Sequence, residues 1–244
     1  MKMRMVLAGL VGALVAVGAA AQQAPDIPKF STAKPGGAPP AEWKNLALSS
    51  FKKNTDYSLV TEDGVIVIRA FAHGSASILS VATDFDPRPF AMLSWRWKVA
   101  KGIPEANNAD QSKEDSPARV MVGFAGDSSK LNLKDRIAAS TAQSASGHPF
   151  PYALLMYIWG GKVPIGSTTT SSRTSRIKMI ALSADDQGIG KWHSFTRNIV
   201  EDYKKAFGEE PGNVTSIELL TDTDNTGGDA EAFYGDITLG PPRP

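Results

Sequence analysis

The chain has 244 residues, no cysteine and a formal charge of +1, from 26 Lys+Arg against 25 Asp+Glu. That balance lacks the basic stripe of a nucleic-acid-binding protein, and the missing thiols exclude disulfides, Cys-ligated zinc, Fe–S clusters and a thiol nucleophile. Ten Phe, five Trp and five Tyr are too many for a disordered chain.

Residues 1–21 read as a cleavable leader. Lys2 and Arg4 make the positive start, Val6–Val17 is apolar, and Ala19-Ala20-Ala21 offers an A-x-A cleavage site. The expected product is an exported protein of a bacterial periplasm, with no later stretch long and apolar enough to span a membrane. Residues 22–42 carry five prolines and a Gly-Gly pair, which predicts an extended, poorly ordered tail. A single domain is expected over residues 43–244.

From there short strands dominate. Residues 57–60 and 65–72 flank Asp63-Gly64, a hairpin turn signal, and Gly74 separates them from a strand at 75–83. At 91–100, Leu93, Trp95, Trp97 and Val99 alternate with Ser94, Arg96 and Lys98, so one face is buried. Residues 101–117 form a polar insertion. Further strands are expected at 118–124, 152–160, 176–182, 192–200, 214–222 and 232–240. Short helices are expected at 131–141 and 201–207, the second closed by Gly208. Without long helices alternating with strands, the pattern fits an all-β, antiparallel two-sheet sandwich of jelly-roll type with one or two short helices.

The richest chemistry lies in Thr221–Gly228. Asp222, Asp224 and Asn225 crowd hard oxygen ligands beside Gly227-Gly228, the ingredients of a Ca²⁺ site. An EF-hand is rejected, because Thr226 and Phe233 occupy two of its ligand positions. The competing reading is an Asx-rich turn that caps its own backbone. Asp222 and Asp224 are the candidate metal ligands. Arg69, Arg96, Arg119 and Arg197 all sit inside strand-like runs, where a charge needs a partner or a ligand. Arg119 alternates with Val120, Val122 and Phe124, so its head leaves the face those residues bury, and Asp115 is near in sequence.

Trp95, Trp97, Tyr157, Trp159 and Trp192 are candidates for stacking on sugars, although the first four share faces with apolar residues and suit a core. No G-x-S-x-G elbow occurs. Ser-x-x-Lys appears twice, at Ser50–Lys53 and Ser175–Lys178, without companion motifs. His73, His148 and His193 are scattered.

The segments Leu93–Val99, Glu114–Val120, Tyr157–Gly160, Arg197–Tyr203, Phe207–Pro211, Thr221–Gly228 and Tyr234–Ile237 together resemble the DUF3047 family of exported bacterial proteins. Glu114 stands where the family pattern carries a second Asp, and Asn198 where an Asp commonly follows the arginine. The resemblance implies no activity. It implies a galactose-binding-like jelly roll, related in shape to domains that bind carbohydrate or calcium. The resulting expectation is a binding protein for a glycan or other polar envelope ligand, with structural Ca²⁺. Its ligand-binding residues would be Asp115, Arg119, Arg197, Asp224, Asn225 and Asp236. The alternatives are a polysaccharide hydrolase or lyase using a pair such as Asp115 and Asp224, and a protein-interaction module.

Overall fold

A computed structural model describes residues 24–184 and 188–242; the expected leader lies outside these. Thirteen strands run in chain order among the described residues: β1 (Lys44–Ala47), β2 (Asp56–Glu62), β3 (Val65–His73), β4 (Ser77–Phe85), β5 (Met92–Lys101), β6 (Ser116–Phe124), β7 (Ala153–Gly160), β8 (Thr168–Thr170), β9 (Ile177–Ala184), β10 (Trp192–Asn198), β11 (Val214–Asp222), β12 (Asp229–Tyr234) and β13 (Thr238–Gly240). Helix α1 spans Leu133–Ser146 and α2 spans Ile199–Phe207.

The strands form two stacked sheets. One has the order β1-β4-β11-β6-β7-β9-β8; the other runs β10-β5-β12-β3-β2, with β13 also paired to β5. This is the expected two-sheet, mostly antiparallel sandwich. The exception is β9, which lies parallel to β7 because residues 161–176 carry the chain back across the sheet before β9 begins. The predicted hairpin is present: Asp63 and Gly64 both take positive φ, at 51° and 77°, as the tight turn between β2 and β3 requires.

The core lies between the sheets. Leu93, Trp95, Trp97 and Val99 of β5 meet Val120, Val122 and Phe124 of β6 and Leu155, Tyr157 and Trp159 of β7. Aromatic rings interlock there, with Trp95 4.9 Å from Tyr157 and 5.4 Å from Phe195 between centroids.

Three local outcomes differ from the sequence reading. The Pro/Gly-rich segment is irregular but packed: Ile27 and Phe30 are buried in the core, and Phe30 lies 5.0 Å from the Trp43 ring. Gly36 donates to the Leu59 carbonyl and Leu59 donates to Gly37, so the segment covers the edge of β2. The strand expected through 192–200 stops at Asn198, whose side chain accepts from Val200 and Glu201 and caps α2. Asn and Asp cap helices equally well, which accounts for Asn198 in that position. Lastly, the strand expected at 232–240 breaks at residues 235–237 into β12 and β13.

The seven-stranded sheet has a second apolar face. All nine residues of β6 and all eight of β7 are buried. Away from the sandwich core, Met121, Leu154, Met156, Ile158, Met179 and Leu220 make a separate cluster. Helix α1 stands over this face, held through Asp135. That carboxylate accepts from Asn132 Nδ2 (2.7 Å), Thr174 Oγ1 (2.7 Å), Ser175 N (2.8 Å) and Ser175 Oγ (2.5 Å). Burial would raise its pKa, but these donors outweigh burial and hold it below the usual value.

Candidate functional site

The space between α1 and the outer face of the seven-stranded sheet is a cleft of about 880 Å³. Its floor is Met121, Leu154, Met156, Leu220 and Glu218, and one wall is the α1 stripe Leu133, Ile137, Ala138, Thr141, Ala142 and Ala145. The far wall comes from residues 46–49 and Lys52. At one end the lining turns polar, with Glu114, Arg119, Asp222, Asp224 and Asn225.

That polar end is built by a β-bulge. The pairing of β11 with β6 slips between Leu220 and Asp222, bringing Asp222 opposite Ser116. The Ser116 N–H donates to Asp222 Oδ1 (3.0 Å), and Arg119 Nη2 donates to Asp222 Oδ2 (3.0 Å). Arg119 Nη2 also donates to the Glu114 carbonyl at 2.5 Å, while Nη1 meets Met156 Sδ at 3.9 Å. Its Nε is buried without a hydrogen-bond partner among the described residues.

Asp115 is fully enclosed and holds the loop after β11. It accepts from Asn225 N (3.2 Å), Thr226 N (2.7 Å) and Thr226 Oγ1 (2.7 Å). The loop tightens further through Gly227, at φ 73°, which donates to the Thr223 carbonyl at 2.8 Å. Asp224 pairs with Lys52. Oxygens of Asp115, Asp222 and Asp224 all lie within 4.8 Å of one another, so the three carboxylates could coordinate a metal ion. Burial pushes the Asp222 carboxyl up to about 7, against the pull of Arg119 and with a further push from the Asp115 and Asp224 charges.

Asp115, Arg119, Asp222, Asp224 and Asn225 therefore converge at one end of the cleft. Arg197 does not join them. It sits in the other sheet, on β10, and holds Asp202 of α2 through Nε (2.8 Å) and Nη2 (2.5 Å), with Tyr157 donating to the same carboxylate at 2.7 Å. Asp236 is also elsewhere. It lies in the break between β12 and β13 and accepts from Phe30 N (2.8 Å), Ser31 N (3.0 Å) and Ser31 Oγ (2.5 Å), tying down the N-terminal segment. Arg69 pairs with Glu231 at 2.6 Å, and Arg96 lies 4.4 Å from the Trp192 ring centroid.

Among the stacking candidates, Trp95, Trp97, Tyr157 and Trp159 are core residues. Trp192 lies on the outer face of the six-stranded sheet and donates to Asp63 at 2.8 Å. His73 pairs with Asp229 and His193 packs edge-on to Trp159, while His148 lines the cleft.

Glu218 was not among the sequence candidates. It carries the same signal as Arg119, a charge inside an apolar strand (VTSIELLTD). Ser80 Oγ donates to it at 3.4 Å, and burial raises its pKa. The Met and Leu floor was also missed, because alternation alone assigns the outward positions of β6 and β7 to solvent.

No helix among the described residues is long and apolar enough to cross a membrane. No curated protein matches the chain. Among solved structures, it is similar to a family 30 carbohydrate-binding module from a Clostridium thermocellum cellulosomal cellulase, at 12% identity and TM-score 0.42, covering 85% of this chain and 96% of that one. A family 12 xyloglucanase from Bacillus licheniformis gives 7% identity and TM-score 0.44, over 85% of this chain and 96% of that one. The xyloglucanase domain of NopAA from Sinorhizobium fredii gives 8% identity and TM-score 0.47, over 86% and 97%. Residues 41–238 match the family described as "Protein of unknown function (DUF3047)", and the chain belongs to that family.

Proposed function

We propose that this chain is an exported binding protein of the cell envelope, and that its ligand lies in the cleft beneath α1. The observation that carries the reading is the cleft itself. At about 880 Å³ it falls within the range of small-molecule sites, about 300–1,000 Å³, and it joins an apolar floor to a few convergent polar groups. Export rests on the leader at residues 1–21. A glycan, the ligand expected from sequence, would find hydrogen-bonding groups at the Arg119–Asp222 end. It would find no tryptophan or tyrosine in the lining on which to stack.

Native mass spectrometry of the protein purified from an envelope fraction tests this. A bound small molecule should be retained by the parent protein and lost from Ala138→Trp, which fills the cleft from α1. Equal retention by both would move the binding site elsewhere.

Two further elements bear on the reading. Three carboxylates at the polar end face two cations, Arg119 and Lys52, which leaves an excess negative charge that favours a bound cation such as Ca²⁺. A thermal melt in excess EDTA and then in added Ca²⁺ checks it. Saturation at about 100 times Kd should stabilise by about 2.7 kcal/mol, and superimposable curves would remove the ion from the account.

The second element is hydrolysis, favoured by one observation: Glu218 is a buried cleft carboxyl of raised pKa, as a general acid requires. The pair expected from sequence does not serve, because the oxygens of Asp115 are taken up by the 225–226 backbone and Thr226. Asp222, four residues along the same strand, is already held by the Ser116 N–H and Arg119, and Asp224 by Lys52. Binding without turnover is therefore the reading we adopt. Turnover on a panel of β-glucans that Glu218→Gln abolishes would reverse it.

A further inference from the structure

The feature that the glycan expectation leaves unexplained is α1. Helices in proteins are stabilised mainly by burying an apolar face. Here Asp135 is the one residue of α1 that is buried, while Leu133 and Ile137 are 65% and 57% exposed. Both point into the cleft, on the stripe that continues through Ala138, Thr141, Ala142 and Ala145. Opposite them lies a floor of two methionines and two leucines. Met121, Leu154, Met156 and Leu220 are already shielded from water, but α1 does not close down on them. Phe51, 96% exposed, lies in the chain between Ser49 and Lys52, which both line the cleft. Methionine adapts to chains of varied shape, and an apolar floor facing an apolar helix across open space selects a hydrocarbon.

The polar end selects the head. Arg119 is 3% exposed, yet among the described residues its Nε lacks a partner and its Nη1 meets a thioether, Met156 Sδ. Those donors call for an oxygen acceptor. A carboxylate or phosphate head would supply one, but Glu114, Asp222 and Asp224 line the same end and would repel it. A cationic head would meet Arg119 and Lys52. A hydroxyl both accepts from a guanidinium and donates to carboxylates, so it answers both halves of the lining.

Resting on the reading of the cleft as a ligand site, we propose that it binds an uncharged amphiphile, a hydrocarbon chain bearing a hydroxyl-rich head. The chain lies between α1 and the methionine floor, and the head reaches Arg119, Asp224 and Asn225. Such a molecule is a glycan carrying its own lipid, which would explain why an apolar cleft ends in sugar-compatible groups.

The test uses n-decyl β-maltoside below its micelle concentration, maltose and decanoate as calorimetric probes of the mature protein. Decyl maltoside should bind saturably at one site. Maltose and decanoate should each bind at least about tenfold more weakly, a difference of about 1.4 kcal/mol. Ile137→Glu puts a charge on the exposed helix wall and should weaken the maltoside by at least about tenfold with no change in Tm. Ile165→Glu, an exposed isoleucine outside the cleft lining, should leave it unchanged.

If maltose binds as tightly as decyl maltoside and Asn225→Ala abolishes it, the hydrocarbon chain is refuted while the cleft remains the site. Decanoate binding as tightly as the maltoside would overturn the assignment of the head. Were no probe to respond to either Ile137→Glu or Asn225→Ala, the amphiphile and the cleft reading would both fall.

Discussion

Strand β7 presents two apolar faces that meet different surroundings. Leu155, Tyr157 and Trp159 enter a filled interior, where they interlock with β5 and β10. Leu154, Met156 and Ile158 on the opposite face are equally well buried in the sheet, but above Leu154 and Met156 the covering element stands off and leaves a cleft. One face is completed by the chain itself, and the other borders open space. The aromatic residues are spent on stability, and the cleft is lined by the more adaptable side chains.

That contrast can be broken in a graded way. The largest effect belongs to the filled side: Trp97→Ala should lower unfolding free energy by about 3–5 kcal/mol, whereas Met156→Ala, bordering space already open, should cost about 1–2 kcal/mol. Urea unfolding of both variants decides it, and equal costs would mean that the cleft is packed in solution. Next comes the buried ion pair. Arg119→Met leaves Asp222 without its cation and should cost about 3 kcal/mol at pH 8. Arg197→Gln removes a shorter pair, but its side chain is 36% exposed, so water screens the loss to about 1 kcal/mol. The two values converging would show that solvent enters the polar end of the cleft freely.

The anchor of α1 sharpens the same distinction. Its Asp135 carboxylate is held below the usual pKa, so the stability it contributes is fully present above the unfolded value, about 3.9, and disappears as pH falls through the folded value. Asp135→Ala should free α1 at neutral pH. Hydrogen exchange should then accelerate in residues 133–146 while β6 and β7 keep their protection. Protection lost everywhere would show that the helix is part of the core after all.

The sandwich was legible because period-2 alternation is an unambiguous signal where one face is buried, as in Leu93-Trp95-Trp97-Val99. It misled where both faces are buried. The unbroken run ALLMYIWG of β7 is itself the mark of two-sided burial, yet the outward set Leu154, Met156 and Ile158 went unread. Strands β1 and β8, of four and three residues, are too short to show a period. The end of β10 was misplaced because Ile199 and Val200 continue an apolar pattern, and the cap at Asn198 outweighs it. At the site, Arg119, Asp222, Asp224 and Asn225 stood out as polar groups in or beside apolar strands. Arg197 stood out for the same reason but found its partner in the helix that follows its strand, at Asp202 of α2. Which charges share a pocket depends on strand order, and strand order is not written in local pattern.

The smallest effect concerns Glu218, which sits on the floor of the open side. Burial raises its pKa, so folding favours the protonated form. The native state binds a proton that the unfolded state releases first, and stability falls as pH rises from the unfolded value, about 4.3, through the folded one. Glu218→Gln removes that penalty. Its Tm should exceed the parent's at pH 8 and match it at pH 4, the reverse of the dependence expected at Asp135. A variant less stable than the parent at pH 8 would mean that the ionised carboxylate has a partner in the cleft besides Ser80. That partner would most simply be a hydroxyl of a retained ligand, and delipidation before the melt should then abolish the difference.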